Sequence, residues 1–421
     1  MIRTTAWIAV AGAAALSCAG GGSGGSGDWS GQMRDSAGVT IVENSGSGVW
    51  VEGSGWRLEE VLRIGSSEAD PEFTAADPEY QFGQIAGIAV SSSGEIFVLD
   101  QQAQQVRVFD GQGTFLRSIG QPGSGPGELG AAAGPVLVTA GDTVVVPEVQ
   151  TNNRVSLFAT DGTFLTSWPV QMEEGIPIRW ETTPDGSLVN QVRPFGQGAA
   201  ETMDAIVSIG ADGTVLDTLK SVPSGRTFQM GGDGPPELNF FSPEPAWALY
   251  PNNRVLLGVN DQYTVGLYGS DGAMERSIRR PTTRQQVGQA DQDAFMQAIE
   301  SAWESAGVPP RGIQQLRSIV NFAEYYPAFL QFLSGPEGTI WVQHVADIAA
   351  MSDEELANFN PLLSLGGSRW DVFEDEGRFL GPLQMPTRFQ PVRFENDRIY
   401  GIWRDDLDVQ HVMVLRVLLM T

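Results

Sequence analysis

One phrase recurs down the chain and limits its fold more than any other feature. It reads "RVFDGQGTFLRSIG" at Arg107–Gly120 and returns as "SLFATDGTFLTSW", "SIGADGTVLDTLK", "GLYGSDGAMERSI" and "DVFEDEGRFLGPL". Its turn glycines fall at Gly113, Gly162, Gly213, Gly272 and Gly377, with gaps of 49, 51, 59 and 105 residues. A period near fifty is that of a propeller or solenoid unit, one supersecondary module per repeat. The long last gap carries a stretch unlike the rest. Without roughly fifty of its residues the period returns.

Each unit reads as four short strands. The first runs "GIAVSS", "EIFVLD", "VRVFD" and "FLRSIG". Val, Ile, Phe and Leu alternate with polar residues over short runs, which predicts half-buried strands. Gly and Asp in "DGQG" and "TDGT" suit tight hairpins because they tolerate positive φ. The sixth unit, "PVRFEN", "RIYGIWR" and "HVMVLRVLL", supplies only three strands before Thr421. An unpaired edge there would invite aggregation. The segment "WRLEEVLRIG", Trp56–Gly65, ends like a fourth strand and precedes the first unit. Its pairing onto the last sheet would close a ring. The expected fold is therefore all-β: a six-bladed propeller of four-stranded blades, closed by the N-terminal strand on the C-terminal blade.

Between units four and five lies a helical insertion, about 285–326. Phe295, Ile299 and Trp303 recur every four residues, and Gly307, Pro309 and Pro310 stop the helix. Ile313, Leu316, Val320 and Ala323 predict a second helix. "SDEELANF" opens with a capping box, Ser352 to Glu355, and predicts a third. The insert is expected to be a support or decoration on one rim, with a lid as the alternative.

"GIAVSSSGEIFVLDQQAQQVRVFDGQGTFLRSIGQPGSGPGEL", Gly87–Leu129, resembles NHL-type repeats. With the early "RDSAGVTIVEN" and the closing "DRIYGIWRDDLDVQHVMVLRV", the chain from about residue 34 onward resembles the six-bladed β-propeller lipoproteins of bacteria. That resemblance implies a lipid-anchored propeller.

The N-terminus points the same way. "MIRTT" is followed by the short apolar run "AWIAVAGAAAL" and then "ALSCAG", with Cys18 the single cysteine of the chain. Small residues before a cysteine at this point resemble a lipobox, with Ala15 standing where Leu is commonest. The expected organisation is a lipoprotein signal peptide at 1–18 with Cys18 lipidated, a Gly/Ser-rich tether at 19–37, and the propeller at 38–421. An ordinary secretory peptide cut nearby is the alternative. The composition "AGGGSGGSGDWSGQ" suits a flexible tether. Ala19 follows the cysteine rather than an Asp, so an outer-membrane anchor, facing periplasm or surface, is preferred over an inner-membrane one. A monomer touching the membrane only through its lipid is expected.

The chain has 51 acidic and 25 basic residues, a formal charge of −26, and no basic stripe. A nucleic-acid binder needs one. "GPGELG", Gly125–Gly130, satisfies a dinucleotide pattern, but a strand follows it instead of a helix. "GGSGG", Gly21–Gly25, lies in the tether, where no nucleophile could be held. Two histidines, His344 and His411, cannot assemble a metal site built mainly of imidazole. They count against the zinc-dependent amidating-lyase type of NHL propeller, and each reads more simply as a packed or half-exposed strand residue.

Loops joining second to third strands share one face of a propeller. They would bring together Asp100, Glu148, Arg193, Asn260 with Asp261, Asp347, and Arg404 with Asp405 and Asp406. Oxygen ligands from several blades could hold calcium. A resemblance to the gluconolactonase type of propeller would then imply a lactone or ester hydrolase. Arg193 and Arg404 instead suit an anionic ligand. With no catalytic set, no cofactor is expected, calcium being the one candidate. The preferred function is recognition of an envelope protein, peptide or glycan on one loop face. A structural role in an envelope assembly is a third reading, and it predicts an exposed apolar patch, the helical insert being one place for it.

Overall fold

The computed structural model describes residues 28–418 apart from 51–54, 67–76, 132–133, 150, 171, 173–174, 184–185, 195–202, 226–227, 230–235, 353–354, 357–358 and 362–364. Cys18, the expected signal peptide and the tether up to residue 27 lie outside the described residues.

The chain is a six-bladed β-propeller. Blade 1 comprises Ile85–Val90, Ile96–Asp100, Gln105–Phe109 and Phe115–Ile119. Blades 2 and 3 span 137–169 and 176–223, blade 4 spans 245–279, and blade 5 spans 332–384. Blade 6 takes Phe389–Glu395, Arg398–Arg404 and Gln410–Leu418 from the C-terminal end and Arg57–Ile64 from the N-terminal end. The closing pair is antiparallel, with Val412 opposite Ile64 and Leu418 opposite Arg57. The expected closure is thus the observed one: Gln410–Leu418 pairs with Arg398–Arg404 on one side and with Arg57–Ile64 on the other.

The recurrent phrase is the hairpin between third and fourth strands. Gly113, Gly162, Gly213, Gly272 and Gly377 all have φ between +75° and +95°. In blade 1, Gly113 N–H donates to the Asp110 carbonyl and Asp110 N–H to the Thr114 carbonyl, and each of the other four turns repeats this pair of bonds. The register slips by one residue beside every copy. A left-handed glycine in a one-residue bulge is what such a three-residue connection requires.

Half-burial is the wrong description for the inner strands. All of Ile96–Asp100 is buried. Alternate residues feed two different cores: Phe97 and Leu99 pack towards blade 2, and Ile96 and Val98 towards blade 6. The same holds around the ring, with one apolar core in each of the six seams. A strand sandwiched between two sheets needs apolar residues on both faces, hence "EIFVLD" and "TVVVPE". Alternation survives on the outer strands such as Phe115–Ile119.

Part of the expected tether is ordered. Gly31–Ser36 is an exposed strand paired with Val39–Asn44, which in turn lies parallel to Met274–Arg279 and widens blade 4 to six strands. The polar "GQMRDS" hid this strand, because all six of its residues are exposed and its side-chain contacts are polar ones to Glu43. The chain then crosses the rim of blade 5, where Val49 and Trp50 N–H donate to the carbonyls of Phe379 and Leu380. Asn44 locks the crossing. Its amide donates to the carbonyls of Gly377 and Arg279 and accepts from Phe379 N–H and the Trp29 indole.

The insert begins as expected. Gln289–Ser305 is a helix burying Phe295, Ile299 and Trp303, and it ends in a Schellman turn at Gly307. The second helix is shorter than the pattern predicts, Pro310–Arg317. Val320–Phe322 is instead a strand parallel to Glu237–Phe240, from the connection between blades 3 and 4. A partner strand distant in sequence overrides the helical spacing of Val320 and Ala323. The Ser352–Glu355 capping box forms, although parts of that expected third helix lie outside the described residues. The insert's apolar side chains form a seventh core with Phe240, Phe241, Ala346 and Ile348. The strongly exposed large apolar side chains lie elsewhere, among them Leu116, Leu165 and Leu216 on outer strands, so the insert carries no such patch among the described residues. No helix among the described residues is long and apolar enough to cross a membrane.

Candidate functional site

Three of the six candidate carboxylates, Asp100, Glu148 and Asp405, turn inward. Asp100 is buried and paired with Arg107 at 3.1 Å, and it accepts from the N–H groups of Gly83, Gln84, Gln102 and Ala103. Arg107 in turn holds the carbonyls of Glu79 and Gln81; burial pulls its pKa down against the support of Asp100. Glu148 is fully buried. It accepts from Arg154 at 3.0 Å, Ser156 at 2.8 Å, Gly130 N–H and Asn152. Arg154 also grips the carbonyls of Ser124, Gly125 and Glu128, so the "GPGELG" loop is a clamped exit between blades. Arg193 pairs bidentately with buried Asp204, at 3.0 Å on both nitrogens. Asp405 caps its own loop by accepting from Leu407 and Val409 N–H, with His411 at 3.4 Å. Arg404 pairs with exposed Asp408, and Asp406 pairs with Arg388. Asn260 accepts from Glu244 N–H and donates to the Phe329 carbonyl, stitching blade 4 to blade 5.

The sequence therefore located a real, repeated position but not its role. In five of the six blades the end of the second strand carries a polar side chain that anchors a hairpin or a seam. A carboxylate already accepting four bonds has little capacity left for a cation. Among the described residues, no group of three or more His, Cys, Asp or Glu side chains is placed to hold a metal ion.

Asp261 and Asp347 behave differently. They line two adjoining recesses, one of about 380 Å³ on blade 4 beside Glu43 and one of about 310 Å³ between blades 4 and 5. The recesses share Arg280, Pro281, Thr282 and Arg284. Two kinds of connection meet here: the loops between second and third strands, and the link from blade 4 into the insert. The insert supplies one wall through Gln285, Tyr326 and Pro327. Tyr326 is held by donating to Asp291, which also accepts from Gly288 N–H at the start of the first helix. Burial and this carboxylate push the Tyr326 phenol well above its usual range, so it stays neutral.

Beneath the cleft is a buried cluster centred on Asp371. Tyr263 donates to its Oδ2 at 2.8 Å and Arg280 at 2.6 Å. His344 Nε2 lies 3.1 Å from the same oxygen, off the line of a hydrogen bond. Oδ1 has no hydrogen-bond partner among the described residues. Burial raises the Asp371 pKa, but His344, Arg280 and Tyr263 outweigh it, and the net shift is downward. Tyr263, buried beside this carboxylate, is pushed well above the ordinary phenol range. Arg280 also lies over the Phe379 ring at 3.9 Å. The cleft is thus built on an ionised carboxylate neutralised by one guanidinium. His344 lines it half-buried, whereas His411 is a packed strand residue against Trp403.

Arg279, Arg280, Arg284, Arg369, Tyr263, His344 and Asp371 were not among the sequence candidates. A signal existed. "RSIRRPTTR" places four arginines within 276–284 in a chain of charge −26. The partnership with Asp371, 91 residues from Arg280, had none.

A family model described as a 6-bladed beta-propeller, DUF5128, matches residues 76–132, which contain blade 1. No curated protein matches the chain in sequence. Among solved structures, a Bacteroides fragilis protein described as exported is 11% identical with a TM-score of 0.49, over 90% of this chain and 99% of that one. Virginiamycin B lyase from Staphylococcus aureus is 10% identical with a TM-score of 0.43, over 86% and 100%. A gluconolactonase from Xanthomonas campestris is 12% identical with a TM-score of 0.42, over 86% and 98%. At these values the likenesses bear on neither substrate nor activity.

Proposed function

We propose that the chain is a recognition propeller of the cell envelope and that it takes its ligand in the cleft between blades 4 and 5. The observation that carries this reading is the contrast between two sets of charges. Around the ring, Asp100, Glu148, Arg193 and Asp405 are consumed by hairpin and seam contacts. In the cleft, the Arg284 and Arg369 side chains are exposed, and their guanidinium groups make neither an ion pair nor a hydrogen bond with any described residue. Charged groups set around a recess and left unpaired are available for a ligand. The calcium-dependent hydrolase has less support, since Asp100, Glu148 and Asp405 face into the blades and no group of three or more His, Cys, Asp or Glu side chains among the described residues is placed to hold an ion.

The envelope address rests on the sequence: the lipobox-like run ending at Cys18 and the Gly/Ser tether to residue 27. In this reading the NHL-like propeller is held a short distance from a membrane by one lipid-bearing residue, and it needs no metal. Replacing Cys18 by Ser should release the protein from the membrane fraction.

Ligand-observed NMR tests the cleft. A mixed library of saccharides, short peptides and small organic acids is screened against the full chain and against Thr283→Trp, which fills the recess. Ligands that bind the first and not the second support the reading. A library whose hits are all indifferent to the block overturns it.

A further inference from the structure

Resting on that reading of the cleft, we infer that its ligand is an acidic sugar, a uronic-acid unit bearing one carboxylate and several hydroxyls. The smaller recess is lined by Arg280, Arg284 and Arg369, together with His344, against one exposed carboxylate, Asp347. Arg280 is already matched by Asp371 beneath it. Arg284 is stiffened by stacking on Tyr325 at 4.6 Å, leaving its fork free. Arg369 has no ion-pair partner among the described residues and stands two residues from Asp371 on the same strand. Two available guanidinium forks in a chain of charge −26 select an anion, and their planar shape favours a carboxylate.

The other groups narrow the class. Asp347 would repel a dense polyanion, but it accepts hydrogen bonds from hydroxyls. Thr282, Thr283 and Gln285 add neutral donors and acceptors. Pro281 and Pro327 form part of the wall and have no N–H to offer an extended peptide backbone. At about 310 Å³ the recess is at the lower end of ligand pockets, so it takes a single small unit rather than a chain segment. A hydroxyl-rich ligand with one carboxylate satisfies Arg284, Arg369 and Asp347 together. An acidic peptide leaves Asp347 facing like charge.

The test is isothermal titration calorimetry of the full chain with the methyl glycoside of galacturonate, the methyl ester of that sugar, and a triglutamate peptide. The acid should bind, the ester should bind at least tenfold more weakly, and affinity for the acid should fall with salt. Arg369→Gln and Arg284→Gln should each weaken the acid by about tenfold without moving the thermal midpoint, because both side chains are exposed. Equal binding of acid and ester, binding of the peptide instead, no binding of the acid, or indifference to both substitutions overturns the inference. If the NMR screen meanwhile finds another ligand class displaced by Thr283→Trp, recognition in the cleft stands and only the acidic-sugar assignment falls.

Discussion

Glu148→Ala separates the two roles a carboxylate at the second-strand end could have. In the structure Glu148 has no exposure and accepts from Arg154, Ser156, Asn152 and Gly130 N–H. Removing one partner of a buried pair costs about 3–5 kcal/mol, chiefly because the other charge is left unmatched. Arg154 retains the carbonyls of Ser124, Gly125 and Glu128, which places the cost near the low end, about 3 kcal/mol. A chain of 421 residues unfolds with an entropy near 0.9 kcal/mol per kelvin. If the ring melts as a unit, the midpoint should therefore fall by about 3–4 °C. Scanning calorimetry is run in EDTA and again in excess calcium. The same fall in both marks a structural clamp. A midpoint unchanged in EDTA, with a loss seen only in calcium, would refute the reasoning and restore the metal-ligand role.

Asn44→Ala removes four hydrogen bonds from a side chain that is 1% exposed. It should cost about 2–4 kcal/mol and speed amide exchange at Phe379, while the exposed Gln32→Ala should do neither. Gly213→Ala puts a Cβ 2.5 Å from the Trp168 ring at φ +85°, whereas Gly94→Ala, at φ +84°, meets nothing within 4 Å. Both carry left-handed strain of about 1 kcal/mol, and the first adds about 1–3 kcal/mol of overpacking, so its denaturation midpoint should be the lower. Asp371 has a folded-state pKa below its unfolded value. Its stabilisation is full above the unfolded range near pH 4 and is lost as pH falls through the folded pKa. Acid titrations should show a flatter limb below about pH 4 for Asp371→Asn than for the unaltered protein.

Much of the ring was legible because a propeller is written locally. The turn glycines mark one hairpin per blade, and the absence of a fourth strand at the C-terminus called for Arg57–Ile64. What failed locally failed for a shared reason. Gly31–Ser36 looks like a tether, and Val320 looks helical. Val320–Phe322 is a strand because Glu237–Phe240, far away in sequence, presents an edge to it, and Gly31–Ser36 is one because its neighbour Val39–Asn44 is itself held on the distant Met274–Arg279. Alternation was over-read in the inner strands because the facing blade lies a whole repeat away.

The candidate site divides along the same line. The repeat register brought out the second-strand ends, so Asp100, Glu148, Arg193 and Asp405 were found, but no spacing shows that Arg107, Arg154, Asp204 and His411 meet them. The amino-acid sequence by itself determined blade number, strand order, the closing strand and the excess of negative charge, since the first two depend on near neighbours, the third on counting strands per repeat and the last on composition. Only the tertiary structure decided which charges are consumed and which remain available. That outcome depends on the packing of one blade against the next, which brings Arg280, just after blade 4, onto Asp371 of blade 5 and leaves Arg284 and Arg369 open at the cleft.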